Sequence, residues 1–206
     1  MWIKICGLTE PGEAAQISRM GVDAIGLIFY AKSPRGLTIE RASEVVCDVS
    51  AGVMKVGVFV DPDWPYIERA VRSVPLDMLQ WHGEPLSEEG LRQMNQMGVP
   101  WIDVRRIRPS ETVLEVTSKA GAGMLLVEGF TEKAPGGTKT LWDFKKLSGI
   151  KTSVPLILSG GLDPELVRQA ICDVSPFGVD VSSGVERSPG RKDLDKVARF
   201  INEARR

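Results

Sequence analysis

Eight times along this chain, a short and almost continuous apolar run gives way to a stretch with helical spacing of its apolar residues. The period is about 25 residues. The pattern predicts strands over Trp2–Cys6, Asp23–Tyr30, Val53–Val60, Leu76–Gln80, Val99–Val104, Ala122–Val127, Val154–Leu158 and Phe177–Val181. It predicts helices over about Pro11–Met20, Ile39–Cys47, Trp64–Val74, Ser87–Met97, Glu111–Lys119, Thr140–Leu147, Pro164–Cys172 and Lys192–Ala204. Strands apolar on both faces suit a parallel sheet covered on both sides. Eight strand-helix units are the number that closes a (β/α)8 barrel, with its active site where strands run into the following loops. Periodicity does not itself show closure, so an open doubly wound sheet is the alternative.

Length and composition add limits. The 206 residues, 43% of them apolar, suffice for a sizeable core without disulfide or metal staples. No linker, composition break or low-complexity tract divides them, so one α/β barrel domain over residues 1–206 is expected. Lys+Arg 26 against Asp+Glu 27 leaves a formal charge of -1, without the basic excess of a nucleic-acid binder. The cluster Arg105-Arg106-Ile107-Arg108 is too short to be a phosphate-binding stripe. No run approaches the roughly 18 apolar residues of a membrane span, and Met1-Trp2-Ile3-Lys4 does not read as a signal peptide. A cytoplasmic protein is expected, monomeric by default because a ring of amphipathic helices needs no partner. Cys6, Cys47 and Cys172 are odd in number and far apart, which speaks against a disulfide framework or a zinc site. His82 is the one histidine, so a His-rich metal site is ruled out.

In a barrel, reactive side chains belong at the strand C-terminal ends, and uncommon residues occur there. Strand one ends Lys4-Ile5-Cys6-Gly7, with Lys4 and Cys6 on one face about 7 Å apart. A cation beside a thiol favours the thiolate, which can serve as base or nucleophile; the other reading is a cysteine packed as a small hydrophobe. Lys32-Ser33-Pro34-Arg35-Gly36 follows strand two, and Arg35 there could grip a carboxylate or phosphate, or be merely solvated. His82 lies just past strand four, in a structural or a catalytic role. Glu128, directly after four apolar residues, reads as a partly desolvated carboxyl with a raised pKa, suited to a general acid, or as a solvated loop residue. After strands seven and eight come Ser159-Gly160-Gly161-Leu162 and Asp180-Val181-Ser182-Ser183-Gly184-Val185-Glu186. Small residues in both loops let backbone N–H groups approach an anion, and barrels often bind phosphate there. Asp180 would stand beside strand one in a closed barrel, within reach of Lys4 or the ligand.

Taken together, Lys4-Ile5-Cys6-Gly7-Leu8-Thr9, Ser33-Pro34-Arg35, Gln80-Trp81-His82-Gly83, Ser159-Gly160-Gly161-Leu162 and Asp180–Glu186 resemble the phosphoribosylanthranilate isomerases of tryptophan biosynthesis. The resemblance runs in order from about residue 3 to about residue 186. It implies a (β/α)8 barrel, no cofactor, and an Amadori rearrangement of N-(5-phosphoribosyl)anthranilate to the aminodeoxyribulose phosphate. It implies that Cys6 is the general base and that Glu128 stands where the family has an aspartate acid. Arg35 would hold the anthranilate, with Lys4, His82 and Asp180 also on the substrate. Gly160, Gly161, Ser182, Ser183 and Gly184 would take the phosphate. The chain differs from the family in Glu128, about 1.5 Å longer than aspartate. It also lacks one glycine in Pro135–Asp143 and has Asp103 where a lysine is usual. Two other functions stand beside this one: a paralogue acting on a related aminosugar phosphate, such as the aminoimidazole substrate of the analogous histidine-pathway step, and a non-catalytic barrel binding a phosphorylated ligand. An intact Cys6 beside Lys4 favours the enzymes; the change to Glu128 leans towards the binder.

Overall fold

The computed structural model describes residues 1–108, 115–129 and 143–206. Eight parallel strands form a closed barrel: β1 (Trp2–Cys6), β2 (Ala24–Phe29), β3 (Met54–Phe59), β4 (Met78–Trp81), β5 (Trp101–Ile107), β6 (Met124–Gly129), β7 (Leu156–Leu158) and β8 (Gly178–Val181). Each strand pairs with its neighbours in the chain, and β8 closes on β1 in the register Lys4↔Asp180. The open-sheet alternative is thereby excluded. Six α-helices lie among the described residues: α1 (Pro11–Ser18), α2 (Ile39–Val46), α3 (Trp64–Ser73), α4 (Glu88–Gln96), α5 (Val167–Val174) and α6 (Leu194–Arg205). Helix starts are chemically marked. Thr38, Asp63, Ser87 and Asp193 each accept a backbone N–H of the first turn through the side chain, and prolines open α1 and α3.

Alternation along the strands divides the core in two. Ile3 and Ile5 of β1, with Ile25, Leu27, Leu125, Val127 and Val179, point outward and are sealed by the helices. Their opposite-parity neighbours Trp2, Ala24, Val56, Met78, Ile102, Leu126 and Ile157 fill the barrel floor. Each fully buried aliphatic side chain contributes about 1.5–3 kcal/mol of burial free energy. The floor also sets the parity of everything above it, because the next inward positions on the same strands are those at the mouth.

The second half departs from the predicted elements. No helix forms over the described part of the stretch 111–119. Instead Glu115–Val116 is a short strand parallel to Lys151–Thr152. The β-branched pair Val116-Thr117 favours that extended form, and the Lys119 N–H donates to Asp103 Oδ2 at 2.8 Å. Of the helix expected over Thr140–Leu147, the described part is a single 3-10 turn, Phe144–Leu147, started by Asp143 and followed by Gly149 at φ 73°. Residues 109–114 and 130–142, including the loop glycines Gly136 and Gly137, lie outside the described residues. α5 starts at Val167, not Pro164, because the Asp163 carboxylate holds a turn through the N–H groups of Glu165 and Leu166. Lys192 belongs to a small hairpin, Glu186–Ser188 with Arg191–Lys192, that precedes α6.

Candidate active site

Strand parity carries the polar residues to one place. Above the floor, the inward positions are Lys4 and Cys6 of β1, Ile28 of β2, Val58 of β3, Gln80 and His82 at β4, Arg106 of β5, Glu128 of β6, Ser159 after β7 and Asp180 of β8. A cavity opens at the C-terminal ends of the strands. It is lined by Cys6, Arg35, His82, Glu128, Asp180, Gly160, Gly161, Ser182 and Ser183 among others. Nine of the eleven residues expected at the site therefore share one cavity. Lys4 and Gly184 do not line it. Lys4 is fully buried below the mouth, its ammonium donating to Asp180 Oδ1 at 2.9 Å. Gly184 packs behind the loop, where a Cβ would lie 1.9 Å from the Leu162 carbonyl oxygen.

The thiol of Cys6 does not behave as the sequence suggests. Burial pushes it above the ordinary thiol range; Lys4 and Lys192 pull the other way and Asp180 opposes them. Lys4 is already paired with Asp180, so its charge is largely spent. Space for the sulfur comes from Gly26, opposite Cys6 in the β1–β2 register, where a Cβ would stand 2.5 Å from Sγ. Sequence reading missed this role. A glycine inside an apolar strand was the available signal of close approach.

Glu128 corrects a second expectation. Its burial does push the carboxyl up, but His82, Arg106 and Lys4 outweigh burial and hold it below the usual carboxylate range. His82 Nε2 lies 3.2 Å and Arg106 Nε 3.5 Å from Glu128 Oε1. Arg106 was not among the expected site residues. Its predicted strand stopped at Val104, and one more inward position past Ile102 and Val104 would have found it.

Arg35 is held in a second buried cluster. Its Nε and Nη2 donate to the two carboxylate oxygens of Glu186 at 2.7 and 2.6 Å, and Lys192 Nζ donates to Glu186 Oε1 and to the Ser182 carbonyl, each at 3.0 Å. Burial opposes the charge on Glu186, yet the two cations keep its carboxyl below the ordinary range. The cluster ties Arg35 to the loop after β8. Two buried polar atoms at the cavity, Gln80 Oε1 and Ser182 Oγ, have no hydrogen-bond partner among the described residues. Such atoms are costly unless a ligand satisfies them. Gln80 was quoted in the sequence motif but not assigned to the site; its even parity with His82 was the signal.

The profile of the N-(5'-phosphoribosyl)anthranilate (PRA) isomerase family matches residues 3–203. The chain belongs to the PRA isomerase family. The N-(5'-phosphoribosyl)anthranilate isomerase of Thiobacillus denitrificans is 39% identical over 204 residues, 98% of this chain and 97% of that protein. Among solved structures, the phosphoribosyl anthranilate isomerase of Thermotoga maritima superposes with a TM-score of 0.82 at 31% identity, covering 100% of this chain and 98% of that one. A second family structure holds reduced 1-(o-carboxyphenylamino)-1-deoxyribulose 5-phosphate; it has a TM-score of 0.77 at 30% identity, with 100% and 98% coverage. The barrel is that of the PRA isomerase fold. No helix among the described residues is long and apolar enough to cross a membrane.

Proposed function

We propose that the protein converts N-(5'-phosphoribosyl)anthranilate to 1-(o-carboxyphenylamino)-1-deoxyribulose 5-phosphate by an Amadori rearrangement, with Glu128 as general acid and Cys6 as general base. The observation that carries this reading is that β1 and β6, three strands apart round the barrel, deliver Cys6 and Glu128 into one cavity that Gly160, Gly161, Ser182 and Ser183 of the loops after β7 and β8 also line. Glu128 protonates the furanose ring oxygen as the anthranilate nitrogen lone pair forms the C1=N bond and the C1–O bond breaks. The Cys6 thiolate then takes the proton from C2, and that electron pair forms C1=C2 and neutralises the iminium nitrogen. Transfer of the hydroxyl proton from C2 and protonation of C1 complete the ketone.

The two corrected pKa directions fit this order of events. A substrate carrying a phosphate and a carboxylate brings negative charge that raises Glu128 from its depressed value towards the protonated form. The cationic Schiff base, once formed, supplies next to Cys6 the positive charge that Lys4, bound to Asp180, no longer offers. Gly160, Gly161, Ser182 and Ser183 would hold the phosphate, with Ser182 Oγ gaining its missing partner. Fixing that end positions the sugar between acid and base. Ile28, Tyr30, Val58 and Val60 give the cavity an apolar wall for the aromatic ring, and Arg35 would face its carboxylate while Glu186 holds the guanidinium in place. The reading takes residues 1–206 as one domain, acting as a cytoplasmic monomer on a phosphorylated small molecule, without cofactor, nucleic acid or membrane.

Freshly made phosphoribosylanthranilate tests it. Addition of the protein should abolish the anthranilate fluorescence catalytically. A folded protein that binds a phosphorylated product analogue yet leaves the fluorescence unchanged would overturn the reading in favour of a binding barrel. Turnover of only the aminoimidazole analogue would reassign the substrate.

A further inference from the structure

The contacts around Glu128 are unequal, and the inequality has a chemical consequence. Both described partners of the carboxyl, His82 Nε2 at 3.2 Å and Arg106 Nε at 3.5 Å, fall on Oε1. On its other side, the His82 ring meets Arg106 again: Nη2 lies 3.1 Å from Nδ1 and also donates to the His82 carbonyl oxygen. A guanidinium has only donors. Nδ1 must therefore accept, the imidazole proton must sit on Nε2, and Nε2–H must donate to Glu128 Oε1.

We propose that Arg106 is a positioning residue that locks His82 as its Nε2–H tautomer, so that Oε1 of Glu128 is kept as an acceptor and Oε2 becomes the oxygen that carries the catalytic proton. The catalytic half of this inference rests on Glu128 being the acid, as proposed above. In the opposite tautomer, Nε2 would present a lone pair to Glu128. The acid proton would then be drawn onto Oε1, in a hydrogen bond to the ring, and withheld from the substrate. Arg106 forbids that arrangement by occupying Nδ1. The charged groups facing the pair are Arg106 from β5 and Lys4 from β1; the latter acts on Glu128 at longer range. His82 and Glu128 are both buried and Arg106 is three-quarters so.

The protein has a single histidine, so the tautomer is readable directly. Long-range ¹H–¹⁵N correlation spectra of uniformly labelled, ligand-free protein at about pH 7.5 report His82 alone. The wild type is expected to show the Nε2–H pattern. Arg106→Leu should shift it to Nδ1–H or to a mixture, with kcat falling about tenfold or more and KM changing little. Arg106→Lys, which retains a donor, should restore much of the Nε2–H form and part of kcat. A wild-type spectrum dominated by Nδ1–H overturns the lock without any variant having to fold. An Arg106→Leu protein with the wild-type tautomer and wild-type kcat overturns it as well. The acid role is read separately: if Glu128→Gln keeps full turnover while the wild type shows Nε2–H, the lock stands and its catalytic consequence falls together with the acid assignment.

Discussion

The floor and the mouth of the barrel are made by the same strands at the same parity, two residues apart, yet they are opposites. Ile102, Leu126 and Ile157 on the floor are fully buried and satisfied by packing alone. Two steps along β6 stands Glu128, whereas on β5 Val104 still packs against the floor and the polar level is reached at Arg106, two steps further on. At the mouth, buried charges face one another, and Gln80 Oε1 and Ser182 Oγ have no hydrogen-bond partner among the described residues. The floor minimises free energy in the unliganded protein. The mouth carries charged and polar groups that packing alone does not satisfy. Stability and chemistry are thus separated along each strand, not assigned to different elements.

Substitutions at the two levels should separate accordingly. The largest effect is expected at the mouth. Glu128→Ala should lower kcat per folded molecule by about 10²- to 10⁴-fold, a loss far larger than the stability given up with the Glu128 charge accounts for, and Glu128→Asp should retain measurable turnover. Loss of all activity in the Asp variant would mean that the site has adjusted to the longer side chain. On the floor, Leu126→Ala should cost about 2–5 kcal/mol in denaturant unfolding, as a large-to-small change where Leu126 is fully buried. Its kcat per folded molecule should be unchanged; a large kcat defect would join the two levels that we have separated.

Gly26→Ala sits between them. The new methyl would press on Cys6 Sγ at 2.5 Å, so a stability cost of about 1–3 kcal/mol and a fall in kcat should appear together. Acid should weaken the mouth next. Glu128 and Glu186 have folded-state pKa values below their unfolded ones. Each therefore contributes stability that is present above the ordinary carboxylate value of about 4.3 and lost as pH falls through the lower folded value. Unfolding free energy should be smaller at about pH 3 than at about pH 6; equality would show that these carboxylates are not held as charges. Least of all, Glu68→Gln removes the exposed Arg72–Glu68 pair on α3 and should change stability by no more than about 1 kcal/mol.

The sequence made the floor and the cavity legible to different degrees, for physical reasons. β1 was predicted at both ends because an apolar strand followed by Gly7 has sharp boundaries, and α2, α3 and α4 began at marked caps. The stretch 111–119 carries a helical spacing of apolar residues, but in its described part the β-branched Val116 and Thr117 and a non-local pairing with Lys151–Thr152 give an extended strand instead. At the site, residue types at strand ends pointed to Cys6, His82 and Glu128, but not to their electrostatics. The thiol is raised chiefly by burial, with Asp180 adding to it, and the carboxyl is lowered chiefly by His82, with Arg106 and Lys4 adding to it, so both depend on packing that brings other strands alongside. Arg106 itself lies two residues past the strand end that the apolar pattern predicts, inside the basic run Arg105-Arg106-Ile107-Arg108.

The most direct measurement is kcat for Cys6→Ser on phosphoribosylanthranilate, taken beside its melting temperature in the same preparation. We predict a fall in kcat of at least about a hundredfold with melting close to that of the wild type. A variant that turns over at the wild-type rate would contradict the central claim, because the base at the end of β1 would then lie elsewhere.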